Sequence, residues 1–197
     1  MVALRKRSPE PMTVPVFLDW AAADRAGRNW QLIDGEPLAV APGGETHGMI
    51  QGELAALLRN HLLDRRSPCR TITEPGIVPL TGASRNYRVP DIGVTCSPPS
   101  GGHSIPDPVL LVEILSPSNA KATRANVWAY TTIPSVREIL VLHTTRVEAE
   151  LLRRRPDGFW PEEPEILGPG DRLSLDSIDF ATPLPALYRT TVLASLP

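Results

Sequence analysis

The sequence has few of the residues that mark specialised protein classes. It contains two cysteines, Cys69 and Cys96, and no C-x-x-C pair, which argues against a zinc knuckle or a thioredoxin-like redox site. Two cysteines in a chain of 197 residues are typical of reduced thiols in a cytosolic protein. We therefore predict free thiols and a cytoplasmic location.

Long apolar runs are also absent. No stretch of about 18 apolar residues occurs, so the sequence predicts no membrane-spanning helix and no membrane partner. The basic run at 5–7 is not followed by an apolar stretch, so residues 1–15 lack the pattern of a secretory signal. Residues 1–12 are polar and unpatterned, which predicts a flexible N-terminal tail. We expect a single domain over residues 13–197.

The chain lacks an excess of positive charge as well. Its formal net charge is -2 and its pI is about 6.1, whereas nucleic-acid binders are more often basic because phosphate contacts use Lys and Arg. A local patch can still be basic on a neutral protein. The sequence also has no Walker or Rossmann glycine pattern and no G-x-S-x-G elbow, which argues against nucleotide binding and serine-hydrolase chemistry.

Apolar periodicity and turn residues divide residues 13–197 into helices and strands. Helices are predicted from Thr13, from about 46 to 63 and from about 120 to 131, and a hairpin is predicted around Asp34-Gly35. Strands are predicted within 70–80, 87–96, 109–115, 138–143, 147–152 and 172–175. This order predicts an α/β (α+β) fold, a mixed β-sheet flanked by helices.

Two acidic residues stand in strand-like surroundings. Glu113 lies inside the apolar run 109–115, where a carboxylate is costly to bury without a partner. Asp91 follows Pro90 in the preceding strand, and consecutive strands are often neighbours in a sheet. The two carboxylates could therefore share a hard divalent ion. The alternative is that Asp91 caps a turn and Glu113 pairs with an arginine across the sheet.

Several motifs in this order resemble those of a known family. They are RVPDI at 88–92, VEILSPS at 112–118, a helix ending at Tyr130 and SVREILVL at 135–142. LIDGE at 32–36 and the helix opened by His47 also fit. The pattern is similar to that of a widespread bacterial family of restriction endonuclease-like proteins in the PD-(D/E)XK nuclease superfamily, and it spans about residues 13–190.

The resemblance implies a restriction endonuclease-like fold and hydrolysis of DNA phosphodiesters with Mg²⁺ or Mn²⁺. Asp91, Glu113 and the carbonyl of Ile114 would then be the metal ligands. Because nucleases of this type often cut two strands with two subunits, and because segment 156–197 is apolar yet poorly patterned, we expect a homodimer. The alternative is that this segment covers its own core.

The chain departs from the family at the expected lysine. The two positions where the family places this residue are Leu115 and Asn126 here. Lys121 and Arg124 are the cations in this segment that could substitute. Lys121 is our choice for the missing catalytic cation, because it lies just past the strand that carries Glu113. The missing lysine leaves a second hypothesis open, a catalytically inactive nuclease-fold protein that binds nucleic acid or a protein partner.

Other polar residues are weaker candidates for the site. Glu36, Gln51 and Glu53 could approach it, but the first is typical of a solvated strand and the last of an exposed helix face. His47 is interpreted as a helix cap or a surface residue. The remaining histidines have no spacing typical of metal ligands: His61, His103 and His143.

Overall fold

This computed structural model describes residues 10–26 and 29–195. These residues contain three α-helices and ten β-strands, together with short 3-10 helices and loops. The helices are α1 (Val14–Ala22), α2 (Glu45–Asp64) and α3 (Ala120–Tyr130). The strands are β1 (Asn29–Ile33), β2 (Glu36–Val40), β3 (Arg70–Thr73), β4 (Ile92–Thr95), β5 (Pro108–Leu115), β6 (Glu138–His143), β7 (Ala149–Arg153), β8 (Glu165–Leu167), β9 (Arg172–Leu175) and β10 (Phe180–Pro183). None of the helices in the described ranges is long and apolar enough to cross a membrane.

The central sheet has six strands in the order β3-β4-β5-β6-β7-β8. Its pairs are antiparallel except β5 with β6, which are parallel and are joined through α3. A parallel pair needs such a crossover, because a short turn can only reverse the chain. The predicted mixed sheet flanked by helices is confirmed.

The two faces of β5 are covered by different helices. Leu110, Val112 and Ile114 pack in the same core as the apolar face of α2. Leu111 faces the other way, into a cluster with Tyr130 at the end of α3. Because side chains alternate along a strand, Glu113 points to the α3 face, and the apolar run around it reflects burial on both sides.

The hairpin and α1 form a small unit with its own core. Asp34 and Gly35 have φ values of 51° and 84°, as the two positions of a tight hairpin turn require, and the predicted Asp-Gly hairpin is confirmed. Its cluster joins Phe17 and Leu32 to Tyr87. Residues 1–9 of the predicted flexible tail lie outside the described residues, while Met12 donates a backbone hydrogen bond to the carbonyl of Gly35 at 2.8 Å.

The strands predicted within 70–80 and 87–96 are shorter than expected. Only β3 and β4 form the ladder, and Ile77 pairs with Arg88 as an isolated bridge. The prolines at 75, 79 and 90 cannot donate to a ladder, which explains why regular pairing stops there.

The C-terminal segment contains three strands instead of the single one predicted. Strand β8 extends the central sheet, and β9 pairs with β10. The apolar residues of this segment enter the main core: Leu167, Leu173, Leu175, Ile178, Phe180, Leu184, Leu187, Tyr188 and Leu193. The segment therefore covers its own core, which was the alternative to a dimer interface, and the homodimer stays a prediction.

The two cysteines are joined by a disulfide between Cys69 and Cys96, so the prediction of free thiols is wrong. The two residues flank the paired Arg70 and Thr95 at the end of the β3–β4 ladder. Opposite residues of an antiparallel pair lie close enough for a disulfide. The register that brings them together was not visible in the spacing of the two cysteines.

Candidate metal centre

Asp91 immediately precedes β4 and lies beside the C-terminal half of β5. Its Oδ2 accepts a hydrogen bond of 2.5 Å from the backbone N–H of Ile114. That N–H belongs to the peptide that links Glu113 to Ile114, so the Asp91 carboxylate lies one peptide unit from Glu113. The structure brings the two predicted metal-ligand carboxylates together.

Glu113 is 5% exposed and lies beneath α3. Its Oε1 accepts hydrogen bonds from the hydroxyl of Tyr130 at 2.7 Å and from Nδ2 of Asn126 at 3.1 Å. Burial, followed by the charge of Asp91, raises the pKa of Glu113 to about 8, although the bonds from Tyr130 and Asn126 and the charge of Arg88 act in the opposite direction. In the absence of a cation, burial therefore favours the neutral form of this carboxyl.

The first turns of α2 hold Asp91 from the other side. Nε2 of His47 lies 2.9 Å from Oδ1 of Asp91, and Nε2 of Gln51 donates to the Asp91 carbonyl at 3.0 Å. Burial lowers the pKa of His47, but the hydrogen bond and charge of Asp91 outweigh burial and raise it overall. The interpretation of His47 as a cap or surface residue is wrong. The spacing of four residues, which places both side chains on one helical face, was the available signal.

Arg88 contributes a buried positive charge that sequence reasoning missed. Its NH1 donates to Oδ1 of Asn126 at 3.1 Å and its NH2 to Oδ1 of Asn86 at 3.3 Å. Burial lowers the pKa of Arg88, while Tyr130, Asp34 and Glu113 act in the opposite direction. One side chain, Asn126, thus contacts both Arg88 and Glu113.

The carbonyl of Ile114 accepts a hydrogen bond of 3.1 Å from Nδ2 of Asn119. A carbonyl oxygen has two lone pairs, so it keeps the capacity to act as a third ligand. Asn119 also accepts from the N–H of Ser116 at 2.7 Å, and this pair of bonds fixes the chain where β5 ends.

Lys121 is exposed in the first turn of α3. It lies about 140° around the helix from Asn126, at about 100° per residue. Its side chain therefore starts from a different face of α3 than the side chains that contact Glu113. Asn126 occupies one of the two positions at which the family pattern expected a lysine, and its amide contacts Glu113 directly.

The other predicted candidates lie elsewhere. Glu53 pairs with Arg189, and Glu36 is part of β2. His61 contacts the carbonyl of Ile178. Gln51 is therefore the weaker candidate from α2 that reaches the site.

A second cluster of possible metal ligands lies on β6 and β7. Among the described residues, His143, Glu148 and Glu150 are the one group of three whose ligand atoms all lie within 4.8 Å of one another. Arg124 and Arg146 already form ion pairs with these glutamates. The protein thus balances their charge by itself, which distinguishes this cluster from Asp91 and Glu113.

The donor set around Asp91 and Glu113 suits a hard divalent cation. It consists of two carboxylates and one carbonyl, all oxygen ligands of the kind that Mg²⁺ and Mn²⁺ prefer. The raised pKa of Glu113 supports this fit, because a bound cation would offset the cost of burying its charge beside Asp91.

Comparisons with known proteins agree with this fold. The family model described as "Uma2: Putative restriction endonuclease" matches residues 14–185. The "Uncharacterized protein slr1290" of Synechocystis sp. (strain ATCC 27184 / PCC 6803 / Kazusa) is 30% identical over 195 residues, which cover 96% of this chain and 98% of that protein.

The fold is similar to that in a solved structure. The crystal structure of "a putative nuclease belonging to DUF820" from Anabaena variabilis ATCC 29413 has a TM-score of 0.70 and 17% identity, and the match covers 90% of this chain and 98% of that one. Restriction endonuclease-like proteins generally use divalent metals. The match to the family model over most of the chain shows that this protein belongs to the Uma2 family of restriction endonuclease-like proteins.

Proposed function

We propose that the protein is a metal-dependent nuclease that hydrolyses DNA phosphodiester bonds. Asp91, Glu113 and the carbonyl of Ile114 would hold one Mg²⁺ or Mn²⁺. The observation that carries the proposal is the position of the Asp91 carboxylate, hydrogen-bonded to the peptide N–H that follows Glu113. Membership of a nuclease-like family supports a nucleic-acid substrate.

The protein itself orients both ligand side chains. His47 and the Ile114 N–H each bind one oxygen of Asp91. Tyr130 and Asn126 both bind Oε1 of Glu113, and no described hydrogen bond reaches Oε2. A bound divalent ion would polarise the phosphodiester and offset the negative charge that develops on its oxygens. The hydrogen bonds fix the ligands in advance, as partners behind metal ligands generally do.

Lys121 stays the sequence-based candidate for a cation that acts on the phosphate. It is exposed at the start of α3, so it would have to approach the substrate from the solvent side. Its role is tested by Lys121→Ala in the assay below.

The test is a plasmid-nicking assay in Mn²⁺ that compares the wild type with Asp91→Asn, Glu113→Gln and Lys121→Ala. We expect the first two variants to lose more than about 100-fold in rate, since each removes one ligand charge. Glu148→Gln is the matched control, because it neutralises an acid in the cluster on β6 and β7 and should retain activity. A wild type that cuts duplex or single-stranded DNA no faster than Glu113→Gln would refute the proposal.

A second candidate function is a nuclease-fold protein that binds nucleic acid or a partner without cutting. The observation that favours it is the absence of lysine at Leu115 and Asn126. Ion pairing of the acids with Lys or Arg would favour it further, but in the described part of the chain neither Asp91 nor Glu113 has such a pair. Mn²⁺ binding that depends on both acids but supports no cleavage would identify this function.

The homodimer and the cytoplasmic location stay predictions of the proposed nuclease. Light scattering at high micromolar concentration tests the homodimer, and a monomer mass would exclude it. Fractionation of cells that express the chain tests the cytoplasmic location.

A further inference from the structure

Arg88 carries a buried charge that has no direct ion pair among the described residues. Its side chain is 7% exposed, and its described hydrogen-bond partners are two neutral amides, Asn126 and Asn86. Its Nε is buried without a hydrogen-bond partner. Among the residues that the structure describes, no carboxylate lies within ion-pair distance of it. Asp34 and Glu113 offset this charge only from beyond ion-pair distance. A buried charge without a direct ion pair is costly, so stability alone does not account for the arrangement.

The position of this charge is fixed. The backbone N–H of Arg88 donates to the carbonyl of Ile77, and the N–H of Ile77 donates to the carbonyl of Arg88, at 2.8 Å each. Its NH1 donates to Asn126, whose own amide donates to Glu113. On the other side, Asn86 connects the guanidinium to Asp34 in the hairpin turn. Arg88 thus stays beside the acid pair, whereas the side chain of Lys121 extends into solvent, where its charge is screened.

The charges of the site favour an anionic ligand once a metal is present. Asp91, Glu113 and Arg88 together carry one net negative charge when both acids are ionised and His47, which contacts Asp91, is neutral. A divalent cation changes this sum to one net positive charge, which complements a phosphodiester with its single negative charge. Without Arg88, the same site would be neutral and would attract the phosphate less.

We infer that Arg88 is a positioning residue whose fixed positive charge, acting through Asn126 and the low-dielectric interior, directs the substrate's phosphodiester to the metal centre. The inference rests on the proposed function, since it assigns the substrate's charge recognition to the same site. It also accounts for the missing lysine, because a buried arginine in the segment before β4 supplies the charge instead.

The Arg88 charge should change the affinities for the metal ion and for DNA in opposite directions. A buried positive charge repels a metal ion and attracts a phosphate. We therefore expect Arg88→Gln to bind Mn²⁺ a few-fold more tightly and to bind DNA about tenfold or more weakly. A purely structural role would weaken both, because a distorted site holds neither ligand well.

The experiment measures Mn²⁺ affinity by calorimetry and the affinity for a short fluorescent duplex by anisotropy in saturating Ca²⁺. Arg88→Lys should restore most of the wild-type DNA affinity. Arg154→Gln is the matched control: Arg154 also has a buried unpaired Nε but binds backbone carbonyls at the end of α3. It should lower the melting temperature and leave both affinities unchanged.

A second variant keeps the test decisive if Arg88→Gln does not fold. Arg88→Met removes the same charge with an unbranched apolar side chain that needs no hydrogen-bond partner when it is buried. We expect the same opposite changes, tighter Mn²⁺ binding and weaker DNA binding.

The outcomes separate this inference from the proposed function. Opposite changes in the two affinities, in a protein whose wild type does not nick DNA, would refute the nuclease and support the role of Arg88. Unchanged DNA affinity, or a loss of both affinities, in a folded variant would overturn the inference even if the wild type nicks DNA. A wild type that does not bind DNA would overturn both.

Discussion

The carboxylate of Asp91 accepts a hydrogen bond from the backbone N–H of Ile114 across the β4–β5 pair. This bond fixes the Asp91 carboxylate against the main chain of β5 next to Glu113. The acid pair is therefore a feature of the sheet itself. The helices on either side then tune the charge and orientation of each acid.

The stability of the metal-free protein should fall as pH rises. The folded-state pKa of Glu113 is about 8, above its ordinary value of 4.5. Its favourable contribution is thus fully present below pH 4.5 and is lost as pH rises through about 8. Thermal melts in a chelator across this range should show the decline, and Glu113→Gln should reduce it. An equal decline in Glu113→Gln would contradict the assignment to this residue.

Mn²⁺ should stabilise the protein more strongly as pH rises over the same range. The ion competes with the proton on Glu113, so binding releases a proton at neutral pH. Calorimetry in buffers of different ionisation enthalpy measures this release. Glu113→Gln has no proton to give up at this position, and an unchanged release in that variant would exclude Glu113 as a ligand.

His47→Ala should weaken Mn²⁺ binding by about 10- to 100-fold, the usual effect of losing a partner behind a metal ligand. The reason is that Oδ1 of Asp91 loses its contact with Nε2 of His47. His61→Ala is the control, because His61 lies on the same helix and contacts the carbonyl of Ile178 instead. Equal metal affinities of the two variants, measured by calorimetry, would show that His47 does not position Asp91.

Tyr130→Phe should shift the pH dependence of nicking to higher pH. The Tyr130 hydroxyl donates to Glu113 and lowers its pKa, so its removal leaves the acid harder to ionise. The lost bond should also cost about 1–3 kcal/mol of stability. Tyr188→Phe is the control: its fully buried hydroxyl binds the carbonyl of Glu148. The free energy of unfolding should fall in Tyr188→Phe as well, but the pH profile of nicking should not shift.

Reduction of the Cys69–Cys96 disulfide should lower the free energy of unfolding by about 3 kcal/mol, the usual effect for a loop of this order of length. Mn²⁺ affinity should not change, because the disulfide lies at the opposite end of β4 from Asp91. Urea unfolding with and without reductant measures the first effect, with Cys69→Ser and Cys96→Ser together as the permanently reduced form. A loss of Mn²⁺ binding on reduction would contradict this separation.

The parts of the fold that were predictable from sequence are those with local signals. The Asp34-Gly35 turn, the period of α2 and the apolar run around Glu113 each depend on residues close in the chain. The two C-terminal strands that were missed, β8 and β10, are short and are defined by their partners β7 and β9. Their pairing depends on distant residues and leaves little trace in a local pattern.

The same distinction holds for the candidate site. Asp91 and Glu113 stood out because acids in apolar strands are unusual. The contact between His47 and Asp91 spans 44 residues, and that between Arg88 and Asn126 spans 38. No spacing rule connects residues so far apart, so only the tertiary structure shows that a histidine, an arginine and two amides complete the site.

The backbone pairing of Leu32 with Tyr87 links motions of the hairpin to the candidate metal centre. The two residues exchange backbone hydrogen bonds of 2.8 and 2.9 Å, and both belong to the small core of α1 and the hairpin. Cooperative units that open separately in the native state often coincide with such supersecondary motifs, and hydrogen exchange detects their opening. Each opening of this unit would break the backbone hydrogen bonds of Tyr87, the residue next to Arg88. The exchange rate of the Leu32 and Tyr87 amides would therefore measure how often the Arg88 charge can leave its position beside Glu113.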